Sequence, residues 1–498
     1  MTADVATADR DSPGVIDVTP NRRRLSFGLA ALFPTAPARP VSHRGLLLAT
    51  LAVVAATVVS LLRVTGTGAL QSIWEEDSRN IMSDALYSSG AKAILTPLNG
   101  YYVIVARLLG EVAAFFPMGW AAAVLSISAA LILGLMVLLV YVASGAHLSS
   151  RLARFMVAAP MLVAPVAENN QSEIYNRPVC LHLFAMYVLF WVVLWVPTRR
   201  TSQLIGVGVV GLAAGSTFLA IGFIPLALLR VFVRRDRTGV GMLAMLVVGA
   251  VANGMLIQDG GGAGRGVMYP EPLVALWDYL IWGLPQSMLG FRAASGLNAF
   301  HFPTVQSVDV MAVVRTYIGV IALSWALVAA VVAVAASRRV TRPAWLLAAV
   351  AAAHSVGLFC MMVMAQGNEQ RYLLPVELLL FAALAALLLP SVRFHTLRAH
   401  APLVVFAVFV TVVSAFNYRW DNTYRANAPR WSDQVNRAAA ACRLPGAQDV
   451  SVRSAPKPFG SLVFIPCRRL GTERPWGCAP PLCIPVNGPA TAPPRRGS

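Results

Sequence analysis

The chain has 498 residues, of which 57% are hydrophobic and only 12% charged, with a mean hydropathy of +0.66. Repeated apolar runs of about 15 to 25 residues on that background exclude a soluble globular protein and point to an all-α polytopic membrane protein. The net charge of +18 would suggest nucleic acid in a soluble chain, but here arginines in short loops and in both tails explain much of it, so no nucleic acid partner is expected.

Residues 1–43 are polar, rich in Arg, Pro and Asp, and lack the short apolar core of a cleavable signal; they read as a disordered cytoplasmic tail. A transmembrane domain is expected over 44–416. Its apolar spans fall at about 45–64, 120–142, 155–167, 180–197, 203–217, 218–233, 240–257, 312–336, 344–364, 373–390 and 402–416, which predicts about eleven transmembrane helices. With the N-terminus inside, every cytoplasmic loop is basic: Arg151 and Arg154, Arg199 and Arg200, Arg234, Arg235 and Arg237, Arg338, Arg339 and Arg342, Arg393 and Arg398. Beyond the N-terminal tail, most acids fall on the other face, with Asp236 as the exception among the loops. The expected active face is therefore external, the C-terminus is external, and the expected location is a bacterial plasma membrane.

The first external loop, 65–119, opens on Trp74-Glu75-Glu76-Asp77. Carboxylates near hydrocarbon are costly and mark function, although a short loop beyond a helix end also solvates acids at no cost. Ile81, Met82, Ala85 and Leu86 then share one helical face, which predicts an interfacial helix stopped by Gly90. In a second amphipathic segment, Tyr101 to Phe116, the residues Gly100, Arg107 and Glu111 align on one face. Arg107 is either functional or half of an Arg107–Glu111 pair on a helix lying flat on the bilayer.

The span at 155–167 is too short for the hydrocarbon, which implies a protein-lined recess holding Glu168, Asn169, Asn170, Glu173 and Arg177. Glu168 and Glu173 then form a second acidic wall or a hydrated loop held by its own asparagines. The long apolar stretch 203–233 is broken at Gly215-Ser216-Thr217 into a hairpin of short helices. Residues 258–311 begin with the glycine-rich run from Asp259 to Arg265, which lacks the Lys-Ser/Thr of a phosphate-binding loop and reads as a hinge. Leu273 to Leu289 follows as an interfacial helix. Glu377 is the one acid placed clearly inside a span, and His182 and His354, isolated in apolar spans, read as core histidines.

From about 417 to 485 the composition turns soluble and predicts a small external α+β domain. Ser432 caps a short helix reaching Cys442, and Val450–Arg453 and Ser461–Ile465 read as two strands. An external tail with four cysteines suits disulfides, Cys442 with Cys467 and Cys478 with Cys483. Zinc is disfavoured because no CxxC pair or neighbouring His is present. Residues 486–498 read as a disordered tail.

One span, an acid-bearing external loop with two interfacial helices, many further spans and an external C-terminal domain together resemble the GT-C superfamily of membrane glycosyltransferases. The strings WEEDSRNIMSDAL and LTPLNGYYVIVARLLGEVAAFFP within residues 74–116, the pair Arg371-Tyr372 and the tail from Trp431 to Cys467 look like an actinobacterial group of GT-C-like membrane proteins. The resemblance implies transfer of a sugar from a polyprenyl-phosphate carrier to an envelope glycan, lipid or protein. It implies Asp77 or Glu76 as the base, with Glu75, Glu76 and Asp77 as possible Mg or Mn ligands. It also implies an arginine at the lipid phosphate, Arg371 beside Tyr372 first, with Arg107, Arg177 and Arg265 in reserve and Glu168 or Glu173 as a partner acid. Arg371 also reads as an interfacial arginine paired with Glu369. The competing function is a transporter or flippase of a lipid-linked saccharide.

Overall fold

The computed structural model describes residues 28–36, 42–88, 90–165, 174–256, 271–294, 310–366, 370–391, 397–418, 425–456 and 462–470. Of the described residues, 75% are helical. Among the described residues seven helices are long and apolar enough to cross a membrane: His43–Leu61 (α1), Met118–Ala146, Arg237–Leu256, Arg315–Ser337, Trp345–Ala365, Gln370–Leu387 and Arg398–Asn417.

Between α1 and the second of these lie a π-helical turn, Asp77–Met82, that runs into a helical turn, Ser83–Tyr87 (together α2), and an amphipathic helix, Ile104–Ala114 (α3). The second long helix contains Ala121–Ala143 (α4). The short third span expected at 155–167 is interrupted: Arg151–Ala158 (α5) gives way at Pro160 to a single turn, Pro160–Val163. Leu181–Leu194 (α6), at 14 residues, is apolar but too short to span alone. Arg200–Ala214 (α7) stops at Gly215, and Thr217 caps the next turn with its side chain, so the 203–233 stretch turns back before Ile224–Arg234 (α8).

Two layers follow from burial. Every residue of α6 and of Leu373–Leu387 (α9) is buried, so these two helices form the axis of the bundle and are surrounded by protein. The outer helices expose rows of large apolar side chains: Leu47, Leu51, Val54 and Val58 on α1, Ile127, Leu131 and Leu135 on α4, and Val405, Val408 and Val412 on Arg398–Asn417. Rows of that size are unfavourable against water and match a lipid bilayer.

At one end of the bundle the end of α1 is fastened to the segment before α6 and to the end of the helix Arg398–Asn417. Ser60 donates to Asn176 Oδ1 at 2.8 Å, Asn176 Nδ2 donates to the Ser60 carbonyl, and Tyr418 donates to the Val59 carbonyl at 2.6 Å. The first loop sits on this end, and its helices are more deeply packed than interfacial helices would be. Ile81, Met82, Ala85 and Leu86 are all buried in the protein core. Gly110 on α3 lies so close to Ile81 that an added Cβ would come within 2.6 Å of its Cγ2, so only glycine lets α3 approach α2 at this position.

The C-terminal segment also covers the loop. Trp431–Ala441 (α10) is followed by an antiparallel pair, Asp449–Arg453 (β1) and Leu462–Pro466 (β2). The helix starts one residue before the expected cap: Arg430 is the N-cap, and the Ser432 backbone N–H instead donates to Gln71 Oε1 at 3.2 Å. Trp431 Nε1 donates to the Met118 carbonyl, Tyr87 donates to Asp449, and the Ala455 N–H donates to the Ile73 carbonyl.

Cys442 and Cys467 form a disulfide that ties the end of α10 to the end of β2 across 25 residues of sequence. Closing a loop of that size stabilises by about 3–4 kcal/mol in the chain-entropy account. Cys442→Ser is therefore expected to make 425–470 the first segment cut in limited proteolysis; cleavage no faster than in the wild type would remove that role. Cys478 and Cys483 lie outside the described residues.

Candidate functional site

Asp77 and Glu76 sit where the helical turns of α2 begin, and the unpaired N–H groups and dipole at such a position favour negative charge. Their main partner comes from a hundred residues away. Arg177 Nε donates to Asp77 Oδ2 at 2.9 Å, and its Nη2 also pairs with Glu76 Oε2. The Val179 backbone N–H donates to Asp77 Oδ1 at 3.0 Å, which completes a cradle around that carboxylate. The Trp74 ring lies 5.1 Å from the Arg177 guanidinium, on which it forms a cation–π cover.

Arg177 can reach both acids because the residues before it are pinned. Tyr175 donates to the Met161 carbonyl at 3.1 Å and lies under the Arg63 guanidinium at 4.0 Å. Asn176 takes a left-handed backbone, φ +60°, and is held by Ser60. Arg425 braces the same segment from the C-terminal side, donating to the carbonyls of Tyr175 and Ser72 and to the hydroxyls of Ser72 and Ser126. Burial lowers its guanidinium to about 10.

The two acids differ in exposure. Asp77 is 1% exposed, and burial pushes its carboxyl above the ordinary range while Arg177 and the Val179 N–H pull it back. Glu76 keeps 24% of its side chain exposed and lines a cleft. The cleft's other walls are Asn99, Tyr101, Val179, Cys180, His182, Arg371 and Tyr372, and it encloses about 340 Å³ counted to its open mouth. It has room for only about one or two waters, so a sugar ring needs it wider than it stands here. Arg371 and Tyr372 form a single turn at the head of α9, with the guanidinium 5.5 Å from the neighbouring ring.

The structure therefore brings Glu76, Arg371 and Tyr372 together, with Asp77 directly behind. It does not bring Arg107. That residue is 2% exposed and donates to Asp84 at 2.5 Å, to the Asn80 carbonyl at 2.8 Å and to the Thr96 carbonyl at 3.1 Å, fastening α3 to α2. The partner expected from helical spacing, Glu111, is not the one used. Glu75 turns away to Arg79, at 3.9 Å. Glu168, Glu173, Arg265 and Glu369 lie outside the described residues.

The three carboxylates do not fit a Mg or Mn site. A guanidinium stands between Glu76 and Asp77 where a cation would be held, and Glu75 pairs elsewhere. Among the described residues no group of three or more His, Cys, Asp or Glu side chains could hold a metal ion.

The sequence puts Arg177 near acids without pairing it to Asp77, gives no sign of Arg425, and shows His182 only as an isolated polar residue in an apolar span. The adjacent Arg177-Pro178 just before an apolar run was the available signal for the first; Arg425 and His182 carried none.

A second polar centre lies behind the site. Arg63 donates to the carbonyls of Leu162 and Ala164 and faces Tyr175 and Tyr418. Glu377 on α9 is 1% exposed, and its Oε1 has no hydrogen-bond partner among the described residues. Farther along, Asp278 ends the helix Pro272–Asp278, where burial raises its carboxyl to about 6. The folded state thus binds this proton more tightly than the unfolded chain, so its contribution to stability is present below about pH 4 and lost as pH rises through 6. Asp278→Asn is expected to raise the thermal midpoint at pH 8 and flatten its change between pH 5 and 7. An unaltered pH profile would contradict this.

Searches against family models, curated proteins and solved structures found no match to the chain.

Proposed function

We propose that the chain is a GT-C-type glycosyltransferase of the bacterial plasma membrane, with about eleven spans, a cytoplasmic N-terminus and a small external C-terminal domain over 417–485. It moves a sugar from a polyprenyl-phosphate carrier to an envelope glycan, lipid or protein. The observation that carries this reading is the shared cleft of Glu76 and Arg371, a carboxylate and a guanidinium facing one space where the heads of α6 and α9 meet the first loop.

The chemistry asks for those two groups. Glu76 takes the proton of the acceptor hydroxyl as that oxygen bonds to C1 of the sugar. The bond from C1 to the phosphate oxygen breaks, and the polyprenyl phosphate leaves with its new charge against Arg371, whose planar fork matches phosphate oxygens. Asp77 does not touch substrate; it holds Arg177, and through it the position of Glu76. No step passes through a metal.

The competing reading, a transporter or flippase of a lipid-linked saccharide, draws on Glu377. A buried acid within a span, with one oxygen unpartnered among the described residues, suits a proton relay. The deciding measurement is the profile of envelope glycans and lipid-linked sugars in cells lacking the protein. A missing envelope sugar with accumulated polyprenyl-phosphate donor, restored by wild type and not by Glu76→Gln, supports the transferase. Full rescue by Glu76→Gln together with failure of Glu377→Gln supports the transporter.

A further inference from the structure

His182 occupies a position that its apolar sequence context hides. Its ring is one wall of the cleft that holds Glu76 and Arg371. Nδ1 lies 2.6 Å from the Val179 carbonyl. A carbonyl only accepts, so Nδ1 carries the hydrogen and Nε2 is left as a lone-pair acceptor. The contact with the carbonyl three residues earlier also fixes the ring plane, and Tyr101 packs against it in a T-shaped contact with centroids 6.1 Å apart. Nε2 has no hydrogen-bond partner among the described residues and is not among their buried unpartnered atoms, so it opens onto cleft space.

The cleft then presents three different functions on one wall system: a carboxylate, a guanidinium and a neutral nitrogen acceptor. A bare lipid phosphate has a use for the guanidinium. It has none for a fixed neutral acceptor, because a phosphate dianion offers no hydrogen to donate. A polyol does: each hydroxyl carries one donor, and a site built to accept it discriminates strongly against a ligand lacking it.

We propose that His182 is a specificity-determining residue that accepts a hydrogen bond at Nε2 from a hydroxyl of the phosphate-linked sugar, so that the cleft distinguishes a glycosylated carrier from the spent carrier. The inference rests on the transferase reading and names the part of the donor that the cleft recognises. No covalent change occurs at His182, and its proton stays on Nδ1 throughout.

The test is direct binding to the full-length protein in detergent, comparing farnesyl phosphate with farnesyl-phosphoryl glucose, mannose and arabinose. Wild type is expected to prefer at least one of the sugar derivatives over bare farnesyl phosphate by about tenfold, the worth of one hydrogen bond. His182→Phe is expected to bring that preference close to one while leaving the affinity for farnesyl phosphate unchanged. His182→Gln, which can place an acceptor near the Nε2 position, is expected to keep part of the preference. A merely structural role would weaken all four ligands together and would not respond to the acceptor in Gln.

A retained preference in His182→Phe overturns the inference and leaves the transferase reading standing. Wild type that binds farnesyl phosphate without preferring any sugar derivative also overturns the inference alone. Wild type that binds none of the four overturns the transferase reading with it. If both variants lose the thermal midpoint of the ligand-free protein, His182 is a packing residue and the proposal falls.

Discussion

Replacing Arg177 by methionine is expected to destabilise the protein by about 3–5 kcal/mol, the usual cost of removing one partner from a buried ion pair. The cost arises because both acids are left behind. Asp77, 1% exposed, would keep only the Val179 N–H of its two named donors. Protonation offers partial relief: burial already pushes the Asp77 carboxyl upward, and without the guanidinium nothing comparable pulls it back. The variant is therefore expected to recover stability as pH falls, the opposite of the loss expected when a native ion pair is protonated. The double variant Arg177→Met, Asp77→Asn should recover much of the loss at neutral pH, since it removes the stranded charge. Thermal unfolding in detergent from pH 5 to 8 checks both points. An Arg177→Met protein as stable as wild type at pH 8 would show that the cradle is held by other contacts.

The layered helical class was legible because hydropathy and composition act over long windows, and no side-chain geometry was needed to see it. Helix breaks were legible where the local chemistry was strong: Gly215 to Thr217 ends one helix and caps the next turn. Burial in the first loop was less so. Ile81, Met82, Ala85 and Leu86 form an apolar face either on a bilayer or under protein, and periodicity cannot tell which; the structure gives them a core because Gly110 lets α3 close over α2.

Pairing across the chain was the least legible. Spacing on one helix suggested Glu111 for Arg107, whereas the partner is Asp84 on the neighbouring element. The acids of Trp74 to Asp77 stood out as a string, but only the fold separates Glu76, which faces the cleft, from Asp77, which faces Arg177, and Glu75, which faces Arg79. His182 was hidden for a related reason. One polar residue in a run as apolar as Leu181–Leu194 looks like a packed core residue until the neighbouring elements are seen to leave a cleft beside it.

Glu76→Gln is expected to reduce sugar transfer by about 10²–10⁴-fold, the range of general-base catalysis, with a thermal midpoint close to wild type. Glutamine preserves the side-chain length and one oxygen acceptor for Arg177, and the partly exposed head leaves the new amide open to the cleft. What it removes is the ability to take the acceptor proton. Asp77→Asn separates the two roles because its effect should fall on the fold first. Asp77 accepts from Arg177 Nε at one oxygen and from the Val179 N–H at the other, and an amide must turn its NH₂ toward one of those donors. That substitution is expected to lower the thermal midpoint clearly and to cost transfer through the displacement of Arg177 and Glu76. The two variants thus predict opposite orders of damage: rate without stability for Glu76, stability with rate for Asp77. Measured side by side with transfer and unfolding on the same preparations, the reverse order would move the base from Glu76 to Asp77 and require Arg177 to release it during turnover.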